Sequence, residues 1–137
     1  MPISQSYYNN RFYLLKTLGG ILDGLALLVV EDEFLIALDA QRILEEAGAG
    51  TVLLANSIAA VRKLLIDGPR IDAAVLDLKL GEEDASPLME EFAHRKIPFL
   101  VTTGLDPASS QELRILAKPY RDAEFIDAIL ELVHRER

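Results

Sequence analysis

The chain has 137 residues, of which half are apolar and about a quarter are charged, a composition typical of one folded domain and not of a disordered chain. Its 22 acidic and 14 basic residues give a formal net charge of −8, which is the wrong sign for direct binding to nucleic acid. It lacks cysteine, and hence disulfides and thiolate metal sites, and no stretch resembles a membrane span or a secretory signal, so we expect a cytoplasmic protein.

Residues 1–24 differ in composition from the rest of the chain. The first ten are mainly polar, and leucine and isoleucine then recur at helical spacing as far as Gly24. We therefore predict an N-terminal extension over residues 1–24, either poorly ordered or forming a short amphipathic helix. The folded domain is predicted to cover residues 25–137.

Strand-like and helix-like segments alternate through this domain. Short apolar runs that end in a polar residue predict strands at 25–30, 51–55, 72–77, 97–102 and 114–117. Apolar residues spaced three and four apart predict helices at 33–47, 58–66, 87–96 and 122–134, with a loop at 80–85. This alternation predicts an α/β fold, a doubly wound parallel sheet of five strands covered by helices on both faces.

The connection between the last two strands is short. Fourteen residues separate Thr103 from Lys118, and they must supply a loop, any helix and the last strand. A helix of average length, about 10–14 residues, would leave almost nothing for the strand and its turns. We predict that this fourth crossover helix is reduced to a turn or is absent.

Acidic residues follow two of the predicted strands. Glu31 and Asp32 come directly after the first strand, and Asp77 ends the third. Because open α/β sheets place their chemistry at the carboxyl ends of the strands, we expect the three carboxylates to converge there. Their charges repel unless a cation neutralises them. Mg²⁺ prefers oxygen ligands and needs only one or two carboxylates, so the sequence predicts a magnesium site.

Thr103 and Lys118 stand at the ends of two further strands. At such an edge Asp77 would be a nucleophile that forms an aspartyl phosphate, with the phosphoryl charge shared between Mg²⁺ and Lys118. The Thr103 hydroxyl would donate a hydrogen bond to a phosphoryl oxygen. Taken singly, Asp32 is also explained as a helix N-cap, and the others as loop or surface residues. Their occurrence together on successive strand ends is far more specific.

Four short segments resemble the response-regulator receiver domain of two-component signalling: VVEDE at 29–33, VLD at 75–77, TG at 103–104 and KPY at 118–120. The resemblance covers about residues 25–134. It implies the flavodoxin-like receiver fold, with five parallel strands and five helices.

The resemblance also implies a role for each matching residue. Asp77 resembles the phosphoacceptor, Glu31 and Asp32 resemble the acids that bind Mg²⁺ with it, and the backbone carbonyl of Lys79 completes the metal shell. Thr103 resembles the switch hydroxyl, and Lys118 resembles the lysine that pairs with the phosphoryl group. The proline that follows this lysine in the family often has a cis peptide bond.

Three positions depart from the family pattern. Gly81 stands where proline is usual, and Lys79 places a cation two residues after the phosphoacceptor. Ile115 occupies the position three before the lysine, where an aromatic side chain normally reports phosphorylation. The segments LGEE at 80–83 and PFLVTTG at 98–104 resemble those of a subgroup of short, atypical receivers that often stand alone and occur in alphaproteobacteria.

The sequence thus favours a single-domain response regulator that is not an enzyme. It is expected to accept a phosphoryl group on Asp77 from a histidine kinase or a histidine phosphotransfer protein, with Mg²⁺ as cofactor. It would then signal by protein contact, with a homodimer as one form, or act as a phosphate sink. The alternative is a docking or dimerisation module that works without phosphorylation. An aspartate-nucleophile phosphatase is disfavoured because Lys79 replaces the second acid that such enzymes use.

Overall fold

The computed structural model describes residues 20–103 and 114–135, without the side chains of Thr103 and Arg135. The elements in chain order are β1 (Ala26–Val30), α1 (Phe34–Glu46), β2 (Thr51–Ala55), α2 (Ile58–Asp67), β3 (Ala73–Asp77), β4 (Lys79–Leu80), β5 (Glu83–Asp84), α3 (Pro87–His94), β6 (Phe99–Thr103), β7 (Ile115–Ala117) and α4 (Asp122–Arg135). Within the described ranges, none of the helices has the length and apolar character needed to cross a membrane.

Five strands form one parallel sheet in the order β2-β1-β3-β6-β7. The prediction of a doubly wound, five-stranded parallel sheet is confirmed. The chain leaves β1 toward β2 on one side and enters β3 on the other, so the strand order reverses between β1 and β3. Open α/β sheets bind ligands at such a reversal, outside the carboxyl ends of the strands.

The sheet is buried on both faces, which explains why its strands are apolar without alternation. In β1, Leu27 and Val29 point to one face, where they pack with side chains of α1 and α4. Leu28 and Val30 point to the other face, where they pack with side chains of α2 and α3. Each face has its own cluster of buried apolar residues, and together these clusters hold the strand ends in place.

Residues 20–25 pack against the N-terminal edge of this sheet. The Leu22 side chain is fully buried, and its backbone N–H donates a hydrogen bond to the Ala47 carbonyl at 3.0 Å. Gly20 has a φ of +95°, and a Cβ atom there would lie 2.8 Å from the Cα atom of Gly48. The described part of the predicted extension therefore lies against the domain, while residues 1–19 lie outside the described residues.

The connection predicted to have a reduced or absent helix also lies outside the described residues, since residues 104–113 are not among them. The predicted loop at 80–85 differs from the structure, which has a short hairpin there. Strand β4 pairs antiparallel with β5, and Leu80 and Ala85 are buried. Strands of two residues are too short to produce a periodic apolar pattern, so the sequence pattern shows a loop.

We expect Leu22→Ala to lower the free energy of unfolding by about 3 kcal/mol, because it leaves a cavity in a fully buried position. The matched control is Ile66→Ala, which removes an apolar side chain that is 74% exposed and should change stability little. Urea denaturation followed by circular dichroism measures both. Equal, small effects of the two substitutions would show that residues 20–25 are not part of the cooperative domain.

Candidate functional site

The carboxyl ends of β1 and β3 bring the acidic residues together. Val30 pairs with Leu76 in the parallel register, so Glu31 and Asp77 are the next residues on neighbouring strands. The carboxylates of Glu31, Asp32 and Asp77 each place an oxygen within 4.8 Å of the other two. Glu31 is 5% exposed, and Asp32 is open to solvent. The predicted convergence of the three acids is therefore present, with one acid buried and another accessible.

Lys118 joins this cluster from the β7 edge of the same sheet. It follows β7, which is separated from β3 by β6, and its side chain reaches across the end of β6. Its Nζ atom lies 3.0 Å from Glu31 Oε2 and 3.1 Å from Asp77 Oδ2. The Lys118 side chain is 24% exposed, and that of Asp77 is 15% exposed. One ammonium group thus bridges two carboxylates in a partly desolvated site.

The pKa values of Glu31 and Lys118 are shifted. Burial raises the pKa of Glu31 above its ordinary value, and its ion pair with Lys118 opposes this shift without cancelling it. Burial alone would lower the pKa of Lys118, but the hydrogen bonds to Glu31 and Asp77 outweigh it, so the pKa of Lys118 is raised. Lys118 is therefore protonated at neutral pH.

This donor set suits a hard divalent cation. Three carboxylates face one ammonium group, so negative charge is left over at the edge where Asp32 meets solvent. Oxygen ligands of this kind are those that Mg²⁺ prefers, and one or two carboxylates suffice for it. The residues present therefore fit Mg²⁺, with Asp32 and Asp77 as the more accessible ligands.

Both oxygens of Asp77 have a hydrogen-bond partner in the protein. Oδ2 accepts from Lys118, and Oδ1 accepts from the backbone N–H of Lys79 at 3.0 Å. The Lys79 backbone thus lies beside the carboxylate, as the predicted ligand role of its carbonyl requires, and that role stays a prediction. The Lys79 side chain is exposed.

The hairpin that follows Asp77 explains the glycine at position 81. Gly81 has a φ of +60° and Glu82 has a negative φ, the pattern of a type II′ turn, which requires glycine at its first central position. Proline, usual here in the family, cannot adopt a positive φ. A Cβ atom on Gly81 would lie 3.6 Å from Asp32 Oδ2, so the turn lies beside the acidic cluster. A Gly-x pair between short strands is the sequence signal that could have revealed this hairpin.

The segment after Lys118 is anchored to α4. The Lys118–Pro119 peptide bond is cis. The Tyr120 ring stacks on Phe125, with 5.0 Å between the ring centroids, and burial raises the pKa of the Tyr120 phenol. The backbone of Lys118 is therefore held between β7 and this stacked pair, which fixes where its side chain begins.

Thr103 and Ile115, which the family resemblance also singles out, lie on β6 and β7. Thr103 ends β6 and pairs with Ala117, directly before Lys118, so its backbone is at the same edge. Its hydroxyl lies outside the described part of the chain, and its role stays a prediction. Ile115 lies in β7 and is partly exposed.

The structure resembles solved receiver domains. The solution structure of SdrG from Sphingomonas melonis Fr1 is 30% identical to this chain, with a TM-score of 0.64 and coverage of 82% of this chain and 95% of SdrG. The BeF3-activated conformation of SdrG, from Pseudomonas melonis Fr1, is 34% identical, with a TM-score of 0.65 and coverage of 77% and 95%. A response regulator receiver protein from Sinorhizobium medicae WSM419 is 23% identical, with a TM-score of 0.72 and coverage of 85% and 99%. No family model matches the chain, and no curated protein matches it.

A parallel sheet of this order with acids and a lysine at its carboxyl edge defines a flavodoxin-like receiver fold. The chain belongs to the response-regulator receiver-domain family. This membership supports a response-regulator function in two-component signalling.

We expect Lys118→Met to destabilise the metal-free protein by about 2–3 kcal/mol, because it leaves the buried Glu31 carboxylate beside Asp77 without a cation. Added Mg²⁺ should recover part of the loss. The matched control is Lys79→Met, which removes an exposed ammonium group and should have little effect. Urea denaturation in EDTA and in Mg²⁺ measures both variants. Equal stability of the two variants in EDTA would contradict the bridging role of Lys118.

Proposed function

We propose that the protein accepts a phosphoryl group on Asp77. The observation that carries this proposal is the bridged arrangement of Asp77, Glu31 and Lys118 beside the accessible Asp32. A carboxylate oxygen of Asp77 forms a bond to phosphorus as the bond between phosphorus and the donor atom breaks, and the donor leaves with its electron pair. The product is an acyl phosphate on Asp77.

Lys118 has a direct part in this step. In the resting state its ammonium group is shared between Glu31 and Asp77. When Asp77 becomes a mixed anhydride it loses its carboxylate charge, and the phosphoryl oxygens carry the negative charge instead. Lys118 then moves its hydrogen bond from Asp77 Oδ2 to a phosphoryl oxygen while it keeps Glu31 as partner. Mg²⁺, when bound by Glu31, Asp32 and Asp77, supplies charge neutralisation for the incoming phosphoryl group.

We infer that the donor is a histidine kinase or a histidine phosphotransfer protein. Membership of the receiver family supports this class of partner. The protein then acts as a stoichiometric phosphoacceptor and not as an enzyme with turnover of a separate substrate. Its output is contact with another protein, a homodimer being one form, or removal of phosphate from the kinase.

We expect the protein to gain the mass of one phosphoryl group when it is incubated with acetyl phosphate and Mg²⁺, because a small donor can reach the exposed side of the cluster. Asp77→Asn should gain none, and EDTA should suppress the gain in the wild type. Intact-protein mass spectrometry measures all three samples. A wild type that stays unmodified, or an Asp77→Asn variant that is modified equally, would contradict the proposal.

The exposed apolar side chains at the start of α1 fit a partner protein at this site. Phe34 and Leu35 are 70% and 79% exposed, and Leu38 lies one turn further along the helix. Phe34 and Leu35 come two and three residues after Asp32, so a protein that delivers a phosphoryl group to Asp77 can bury them at the same time. Large apolar side chains grouped in this way are unusual on a surface without a partner.

We therefore expect the double substitution Phe34→Ser and Leu35→Ser to slow phosphotransfer from the cognate kinase by about tenfold or more, through lost apolar burial. The rate with acetyl phosphate should not change, because that donor needs no protein contact. Ile66→Ser, at an equally exposed position on α2, is the matched control. Radiolabelled phosphotransfer time courses measure the rates. An equal loss with both donors would show that the substitution damages the site itself.

The alternative is a docking module that works without phosphorylation, and the isoleucine at position 115 motivates it. Partner affinity distinguishes the two functions. Equal affinity of the wild type and Asp77→Asn for the partner under phosphorylating conditions would favour the docking module.

A further inference from the structure

The hairpin formed by β4 and β5 lies against two of the three acids of the cluster. The backbone N–H of Lys79, in β4, donates a hydrogen bond to Asp77 Oδ1 at 3.0 Å. At the turn, a Cβ atom on Gly81 would lie 3.6 Å from Asp32 Oδ2. The position of the hairpin therefore affects where both carboxylates lie, and with them the donor set that fits Mg²⁺.

A hairpin with two residues in each strand needs contacts outside itself to keep its position. Lys79 pairs with Asp84, and Leu80 pairs with Glu83. Leu80 is buried in the apolar cluster that the sheet forms with α2 and α3, so one side of the hairpin is held by packing. The other side carries the acidic run Glu82, Glu83 and Asp84, and all three residues are exposed.

Two of these acids accept hydrogen bonds from backbone N–H groups outside the hairpin. Asp84 Oδ1 accepts from Ser86 at 3.0 Å, which is a local contact just before α3. Glu83 Oε1 accepts from Ile58 at 3.4 Å. Ile58 is the first residue of α2 and lies 25 positions earlier in the chain, so the Glu83 contact joins the hairpin to a distant element.

The start of α2 is a favourable place for a carboxylate. The first N–H groups of a helix have no partner within the helix, and the helix dipole places positive charge there. Ser57, the N-cap residue, accepts from the third N–H of α2 at 3.1 Å, which leaves the first, that of Ile58, for Glu83. Arg62 lies one turn further along. Its pKa is raised mainly by its hydrogen bonds to Glu91, and the charge of Glu83 adds to that shift.

We propose that Glu83 is a positioning residue for the acidic cluster. Its contact with α2 holds β5, and β5 in turn holds β4 and the turn between them, so the Lys79 backbone stays beside Asp77 and Gly81 stays beside Asp32. Loss of this contact weakens Mg²⁺ binding although Glu83 lies outside the group of three acids. This inference rests on the proposed function, because it concerns the Mg²⁺ affinity of the same site.

Glu83→Ala and Glu82→Ala form a matched pair, because each removes one exposed negative charge from the hairpin. Glu82 makes no hydrogen bond or ion pair with the rest of residues 20–103 and 114–135. Long-range electrostatic effects on Mg²⁺ binding are nearly equal in the two variants, so a difference reports the contact with α2. We expect Glu83→Ala to bind Mg²⁺ about threefold more weakly than Glu82→Ala, the effect typical of a carboxylate at a helix N-terminus. Isothermal titration calorimetry of the full chain measures both affinities.

Two further measurements separate positioning from a general electrostatic effect. Glu83→Gln keeps an oxygen that can accept from the Ile58 N–H, so its Mg²⁺ affinity should lie above that of Glu83→Ala. In EDTA, hydrogen exchange of the Lys79 amide, followed by NMR, should be about threefold faster in Glu83→Ala than in Glu82→Ala, because the hairpin opens more often.

The outcomes distinguish this inference from the proposed function. A wild type that binds Mg²⁺, with equal affinities in Glu83→Ala and Glu82→Ala, would overturn the positioning role and leave the proposed function standing. Equal exchange of the Lys79 amide in these two variants would also overturn the positioning role. A wild type that binds no Mg²⁺ would overturn both.

Discussion

The site depends on one interaction, the contact of the Lys118 ammonium group with both Glu31 and Asp77. Without it, a carboxylate that is 5% exposed would lie beside a second carboxylate, and no other ion pair of either acid is seen among residues 20–103 and 114–135. Such an arrangement is strongly unfavourable in a partly desolvated site. The contact with Lys118 bridges Glu31 and Asp77. The third acid, Asp32, lies at the solvent-exposed side of the cluster, where negative charge remains. The three carboxylates can therefore lie together in the folded protein.

The sheet is built so that this contact forms. The reversal of strand order places Glu31 and Asp77 next to each other in register, and both faces of the sheet are covered by buried apolar side chains. The backbone of Lys118 lies two strands away from Asp77, between β7 and the Tyr120–Phe125 stack. Its long side chain spans the distance to Glu31 and Asp77. The position of the Lys118 backbone is therefore set by β7 and the stacked pair, and its side chain alone makes the contact with the two acids.

Much of the fold and of the acidic cluster could be predicted from the sequence, for a physical reason. Parallel strands buried on both faces are short apolar runs, and their carboxyl ends meet at one edge, so the convergence of Glu31, Asp32 and Asp77 follows from the pattern. The apolar pattern did not predict the hairpin after Asp77, because each of its strands has only two residues. The hydroxyl of Thr103 and the connection after it stay predictions.

The most direct test of this account is Mg²⁺ binding measured by isothermal titration calorimetry in the wild type and in Lys118→Met. If Lys118 neutralises part of the acidic cluster, the wild type should bind a single Mg²⁺ ion, and the variant should bind it more tightly because a competing cation has been removed. Absence of Mg²⁺ binding in the wild type, or weaker binding in the variant, would contradict the account.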